Sequence, residues 1–122
     1  MQVLLVEDQP QLAQLMAQGL SEAGFSVEVA ANGMAAQRFV ESTVYDLVIL
    51  DVMLPGLNAW KLQQALRQRG ETPVLFLTTP NGIEDRLRGL ELHEDDYLLK
   101  PFDAKALVTR VKKVLRRRGP HL

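Results

Sequence analysis

Two hydrophobic rhythms alternate along the 122-residue chain. Short apolar runs rich in Val, Leu and Ile predict strands at Gln2 to Val6, Ser26 to Ala30, Asp46 to Leu50, Pro73 to Leu77 and Asp96 to Leu99. Between them apolar residues recur at helical spacing. Leu12, Leu15, Met16, Leu20 and Ala23 form the expected inner face of a first helix, and Gly24 follows where a left-handed stop belongs. Asn32-Gly33 turns the chain into a second helix, Met34 to Ser42, and Asn58 is the expected N-cap of a third, Ala59 to Arg69, ended by Gly70. Ile83, Leu87 and Leu90 stripe a fourth helix. Leu107, Val111, Val114 and Leu115 stripe a fifth, with Asp103 as its expected N-cap.

Strands alternating with helices in this way imply right-handed crossovers and a parallel sheet covered on both faces. The expectation is an α/β, doubly wound, five-stranded parallel sheet of order 2-1-3-4-5, in which ligands bind beyond the carboxyl ends of strands one and three. That topology gives sense to "YDLVILDVMLPG", an apolar strand that ends on a carboxylate, Asp51. Glu7 and Asp8 end strand one at the same edge, Thr78 follows strand four, and Lys100, before Pro101, follows strand five. All five side chains are expected on one side of the sheet, with Asp51 at the rim of a crevice and not in the core.

Three carboxylates so close repel one another, and one would take up a proton unless a cation intervened. Mg²⁺ suits the set, since it takes one or two carboxylates together with waters and phosphate oxygens. Lys100 adds a mobile positive charge and Thr78 a hydroxyl donor. Such a cluster is built to hold a phosphoryl group beside a metal, with Asp51 as a nucleophile able to form an acyl phosphate. Taken singly, each member has a structural reading: a turn aspartate, an acidic helix start, a capping hydroxyl, a solvated lysine. The signal lies in their coincidence at one sheet edge.

Composition narrows the classes further. One domain fits the length, and Cys is absent, which removes disulfides and thiolate metal sites. Hydrophobic residues at 47% and charged residues at 24% are ordinary for a globular protein. The apolar runs are too short to span a bilayer, and no basic start or long apolar core precedes Glu7-Asp8, so a cytoplasmic protein without membrane association is expected. A net charge of -1 gives no general reason to expect nucleic acid, whose phosphates need a basic face. The terminal Lys112, Lys113, Arg116, Arg117 and Arg118 read as cations at a helix C-terminus followed by a solvated tail.

The chain resembles the receiver domains of two-component response regulators. The likeness runs from Val3 to about Arg117 through "LLVEDQP", "YDLVILDVMLPG", "VLFLT", "EDRLRGLE", "DDYLLKPF" and "ALVTRVKKVLRR". The last three are most like the subfamily whose receiver precedes a winged-helix DNA-binding domain (OmpR/PhoB-type). The resemblance implies a flavodoxin-like receiver fold over residues 1–117, with 118–122 as the start of a linker or tail. It implies a regulatory phosphoacceptor and not an enzyme, phosphorylated on Asp51 by a sensor histidine kinase. Asp8, Asp51 and the Met53 carbonyl would hold Mg²⁺, with Glu7 helping through water. Thr78 and Tyr97 would form the switch pair, and Lys100 would contact the phosphoryl group, placed by a cis bond before Pro101. Helix four, strand five and helix five would form a phosphorylation-dependent homodimer face drawing on Arg86, Glu91, Asp95, Asp96, Arg110, Lys112 and Arg117. DNA would be reached only through a C-terminal domain that is not in this chain.

Several positions depart from the family pattern. Ala106 stands where the subfamily has an acid facing the arginine matched by Arg86, which implies a weaker dimer. Thr79 and Pro80 are expected to crowd and stiffen the loop beside Thr78 and to slow phosphorylation by small donors. Leu92-His93-Glu94 lacks the usual glycine stop of the fourth helix. A flavodoxin-like electron carrier shares the sheet order, but Glu7-Asp8 would repel a flavin phosphate. A phosphatase with an aspartyl nucleophile wants an acid where Met53 stands. A receiver that no longer takes phosphate, acting as an interaction module, is the alternative reading.

Overall fold

Successive residues of a strand point to opposite faces of its sheet, so a strand apolar at every position must be covered on both. The computed structural model of the chain, which describes residues 1–54, 58–82 and 96–118, meets that demand. Its strands are β1 (Gln2–Val6), β2 (Ser26–Ala30), β3 (Leu47–Asp51), β4 (Val74–Thr78) and β5 (Tyr97–Leu99). Its helices are α1 (Pro10–Glu22), α2 (Gly33–Ser42), α3 (Ala59–Arg69) and a C-terminal helix, Ala104–Arg118. The sheet is parallel throughout and runs β2-β1-β3-β4-β5, the order read from the sequence.

Alternation sorts the core into two layers. Val3, Leu5, Leu47, Ile49, Leu75 and Leu77 meet α1 and the C-terminal helix through Met16, Leu20, Leu107 and Val111. Leu4, Val6, Val48, Leu50 and Phe76 meet α2 and α3 through Ala36, Val40, Leu62 and Leu66. Asn32, Asn58 and Asp103 each accept a hydrogen bond from the backbone N–H three residues on, at 2.8, 3.0 and 2.7 Å, which satisfies one orphan donor of the helix that follows.

Some boundaries differ from those read from the sequence. β3 and β4 each begin and end one residue later than expected, so Asp51 and Thr78 are the last strand residues and not the first beyond. The face of α1 is set by Ala13, Met16 and Leu20, whereas Leu15 is 51% exposed, because 3.6-residue periodicity carries it past the edge of the stripe. Residues 80–82 are helical, while Ile83, Leu87, Leu90 and His93 lie outside the described residues.

Candidate functional site

Strand register places the cluster. Val6 pairs with Leu50, so Glu7 and Asp51 sit level at the carboxyl edge of the two central strands. Asp51 pairs with Leu77 and Thr78 with Leu99, which sets Lys100 just above Thr78 at the same edge. Glu7, Asp51 and Lys100 share the parity of Leu5, Ile49 and Leu98 and emerge on the α1 side. Thr78 shares the parity of Phe76 and takes the other side. The expectation that all five side chains share one side of the sheet is corrected by this pleat.

Asp51 is enclosed, only 3% exposed, and not at an open rim. Its Oδ1 accepts from the Met53 backbone N–H at 2.9 Å, and its Oδ2 accepts from Lys100 Nζ at 2.6 Å. Glu7, 1% exposed, accepts from the Gln9 N–H through Oε1 at 3.2 Å. Its Oε2 is buried with no hydrogen bond, the Lys100 ammonium standing 3.7 Å away. Asp8 is exposed at the start of an open pocket of about 640 Å³ that Gln9, Pro10, Gln11 and Leu12 also line. One carboxylate oxygen from each of Glu7, Asp8 and Asp51 lies within 4.8 Å of the others.

The electrostatics follow from this enclosure. Burial, helped by the neighbouring Asp51 and opposed by the Gln9 N–H and the Lys100 charge, pushes the Glu7 carboxyl up to about 7. Burial alone would lower Lys100, but its contacts with Asp51 and Glu7 outweigh burial and hold it above its ordinary value. One ammonium therefore faces two buried acids, with the exposed Asp8 beside them. A hard divalent cation fits that donor set, and the unpartnered Glu7 Oε2 is the atom that would gain from it, directly or through a water.

The remaining candidates are spread over the neighbouring edge. Thr78 is fully buried, and its hydroxyl donates to the Thr79 carbonyl at 3.2 Å. Thr79 Oγ1 accepts the Gly82 N–H at 3.1 Å, an N-cap bond that the Thr-Pro start of this helix could have signalled in the sequence. Tyr97 is half-buried, packed against the α2–α3 layer, and its carbonyl accepts from the Arg110 guanidinium. The Lys100–Pro101 peptide bond is cis. On the face of β5 and the C-terminal helix, Asp96 and Arg117 pair within the chain at 2.6 Å, and Lys112 is exposed. Arg86, Glu91 and Asp95 lie outside the described residues.

A family model described as the response regulator receiver domain matches residues 3–112. The chain belongs to the response regulator receiver family. Among curated relatives of this receiver, the transcriptional activator protein IrlR of Burkholderia pseudomallei is 47% identical over 117 residues, which is 96% of this chain and 51% of the relative. The transcriptional regulatory protein CusR of Escherichia coli is 44% identical over 118 residues, 96% of this chain and 52% of the relative. The receiver thus spans about half the length of these relatives. Among solved structures, the non-phosphorylated HemR receiver domain from Leptospira biflexa superposes with a TM-score of 0.82 at 33% identity, covering 99% of this chain and 98% of that one. No helix among the described residues of the receiver is long and apolar enough to cross a membrane.

Proposed function

We propose that this receiver accepts a phosphoryl group on Asp51 from the phosphohistidine of a sensor kinase. An Asp51 carboxylate oxygen attacks phosphorus. The new O–P bond forms as the P–N bond to the kinase histidine breaks, and the imidazole leaves with the electron pair of that bond. The observation that carries the reading is the gathering of Glu7, Asp8 and Asp51 within 4.8 Å, with the Lys100 ammonium 2.6 Å from the nucleophile. Asp8, Asp51 and the Met53 carbonyl would hold Mg²⁺, with Glu7 assisting through water. When bound, the ion would neutralise charge on the transferred oxygens. Lys100 would shift from the Asp51 carboxylate to a phosphoryl oxygen, and the Met53 N–H would keep the carboxylate oriented.

The output is a population shift. Thr78 moves toward the new acceptor oxygens and the Tyr97 ring turns inward, altering the face of the fourth helix, β5 and the C-terminal helix. That face forms a homodimer through charged residues among Arg86, Glu91, Asp95, Asp96, Arg110, Lys112 and Arg117. Forming it requires Asp96 and Arg117 to exchange their partnership within the chain for one across the interface. Residues 1–117 form the receiver and 118–122 open a linker to a DNA-binding domain, a reading supported by relatives that are transcriptional regulators of about twice this length.

Intact mass after incubation with acetyl phosphate and Mg²⁺ tests the proposal. One phosphoryl adduct on the native chain and none on Asp51→Ala is expected. Equal adducts on both, or none on the native chain, would leave the interaction-module alternative standing.

A further inference from the structure

Gly82 lies in the helical turn that begins at residue 80 and is buried. A β-carbon placed there would stand 2.1 Å from Thr78 Oγ1, against 3.3 Å from Thr79 Oγ1 and 3.5 Å from Thr78 Cβ, so the severe clash is with the Thr78 hydroxyl. The hydroxyl of Thr78 therefore rests in space that only glycine leaves open. In that position it donates to the Thr79 carbonyl and not to Asp51, whose two oxygens are engaged by Met53 and Lys100.

We propose that Gly82 is a positioning residue that, by leaving room for its hydroxyl, lets Thr78 occupy its resting rotamer, away from the phosphoacceptor. The inference rests on the reading that Thr78 moves toward phosphorylated Asp51, and it names what makes room for the rotamer that Thr78 must leave. The argument is steric. A threonine Cβ carries a hydroxyl, a methyl and a hydrogen in three staggered positions. A β-methyl at residue 82 closes one position to both heavy atoms and admits only the hydrogen. Because chirality fixes the order of the other two, a single rotamer remains, and in it the hydroxyl has left the Thr79 carbonyl. Gly82→Ala thus removes the resting rotamer without touching Asp51, Lys100 or the metal ligands, and the cost of leaving it no longer opposes phosphoryl binding.

The test is a double-mutant cycle read by affinity for beryllofluoride, a phosphoryl mimic, with Mg²⁺. Gly82→Ala is expected to bind about 3- to 10-fold more tightly than the native chain, the range expected if the competent rotamer is a minor one. In a Thr78→Ala background the same change is expected to alter affinity little, because the atom it displaces is gone. Equal affinities of native and Gly82→Ala proteins overturn the inference alone, as does an undiminished gain in the Thr78→Ala background, which a general effect of alanine on the helix would give. Melting temperatures supply a second readout should Gly82→Ala fold poorly. A fall with Thr78 present and no fall with Ala at 78 supports the clash, and equal falls in both backgrounds refute it. A native chain that takes up no beryllofluoride overturns the phosphoacceptor reading itself.

Discussion

Glu7 offers a sharp physical test, because its burial has a sign and a size. The carboxyl is 1% exposed, has one unpartnered oxygen, and is pushed up from 4.5 to about 7, chiefly by burial. In the unfolded chain it loses its proton near its ordinary value, whereas the folded chain keeps the proton until about pH 7. Between those limits the folded state binds more protons, so stability is greatest at low pH and falls as pH rises through the window. Integrated from pH 5 to pH 8, the loss is about 2 to 3 kcal/mol. Glu7→Gln has no such titration. Asp8, Asp51 and Lys100 face the same space but are common to both proteins, so the difference between the two curves isolates residue 7. Urea unfolding at pH 5, 6, 7 and 8 in the presence of a chelator measures it. The native curve should decline relative to that of Glu7→Gln by the stated amount. Mg²⁺ at pH 8 should then raise the native protein more than the variant, since the cation takes the place of the proton. Parallel curves for the two proteins would refute the reasoning.

Other consequences can be checked as directly. Lys100→Met leaves Asp51 and Glu7 without their ammonium; a loss of about 3 kcal/mol is expected by denaturation, with the Glu7 titration seen by carbon NMR moving above its native midpoint. Asn58→Ala removes the cap of α3, and calorimetry should show destabilisation of about 1 kcal/mol. Thr79→Ala removes the cap bond to Gly82 and loosens the loop beside Thr78; faster adduct formation with acetyl phosphate is expected in time-resolved mass spectra, and unchanged rates would show that the cap does not restrain the loop.

The sheet order and the meeting of Glu7, Asp51 and Lys100 at one edge were legible in the sequence because alternating periods dictate topology, and topology aligns strand ends. Register is subtler. Whether Asp51 falls inside β3 or beyond it depends on where the last ladder bond forms, Val52 N–H to the Leu77 carbonyl, and the apolar pattern does not record that. At β4 the pleat puts Thr78 on the Phe76 side, a distinction that naming five residues by proximity alone passed over. Leu15 is more apolar than Ala13 and so fits the stripe read from the sequence, yet Ala13 is the residue that α1 buries with Met16 and Leu20. Asp96 and Arg117 are distant in sequence, so their pairing within the chain is visible only in three dimensions. Gly82 carried no signal beyond being a glycine near a proline, since its role comes from the side chain it leaves room for.

Whether the central nucleophile is Asp51 can be read chemically. Borohydride reduces an acyl phosphate to the corresponding alcohol, so peptide mapping after reaction with acetyl phosphate and Mg²⁺ should find homoserine at position 51 and aspartate unchanged at positions 8 and 46. Reduction at another position, or the same product without Mg²⁺, would contradict the proposal that Asp51 is the residue the acidic cluster at the strand edges serves.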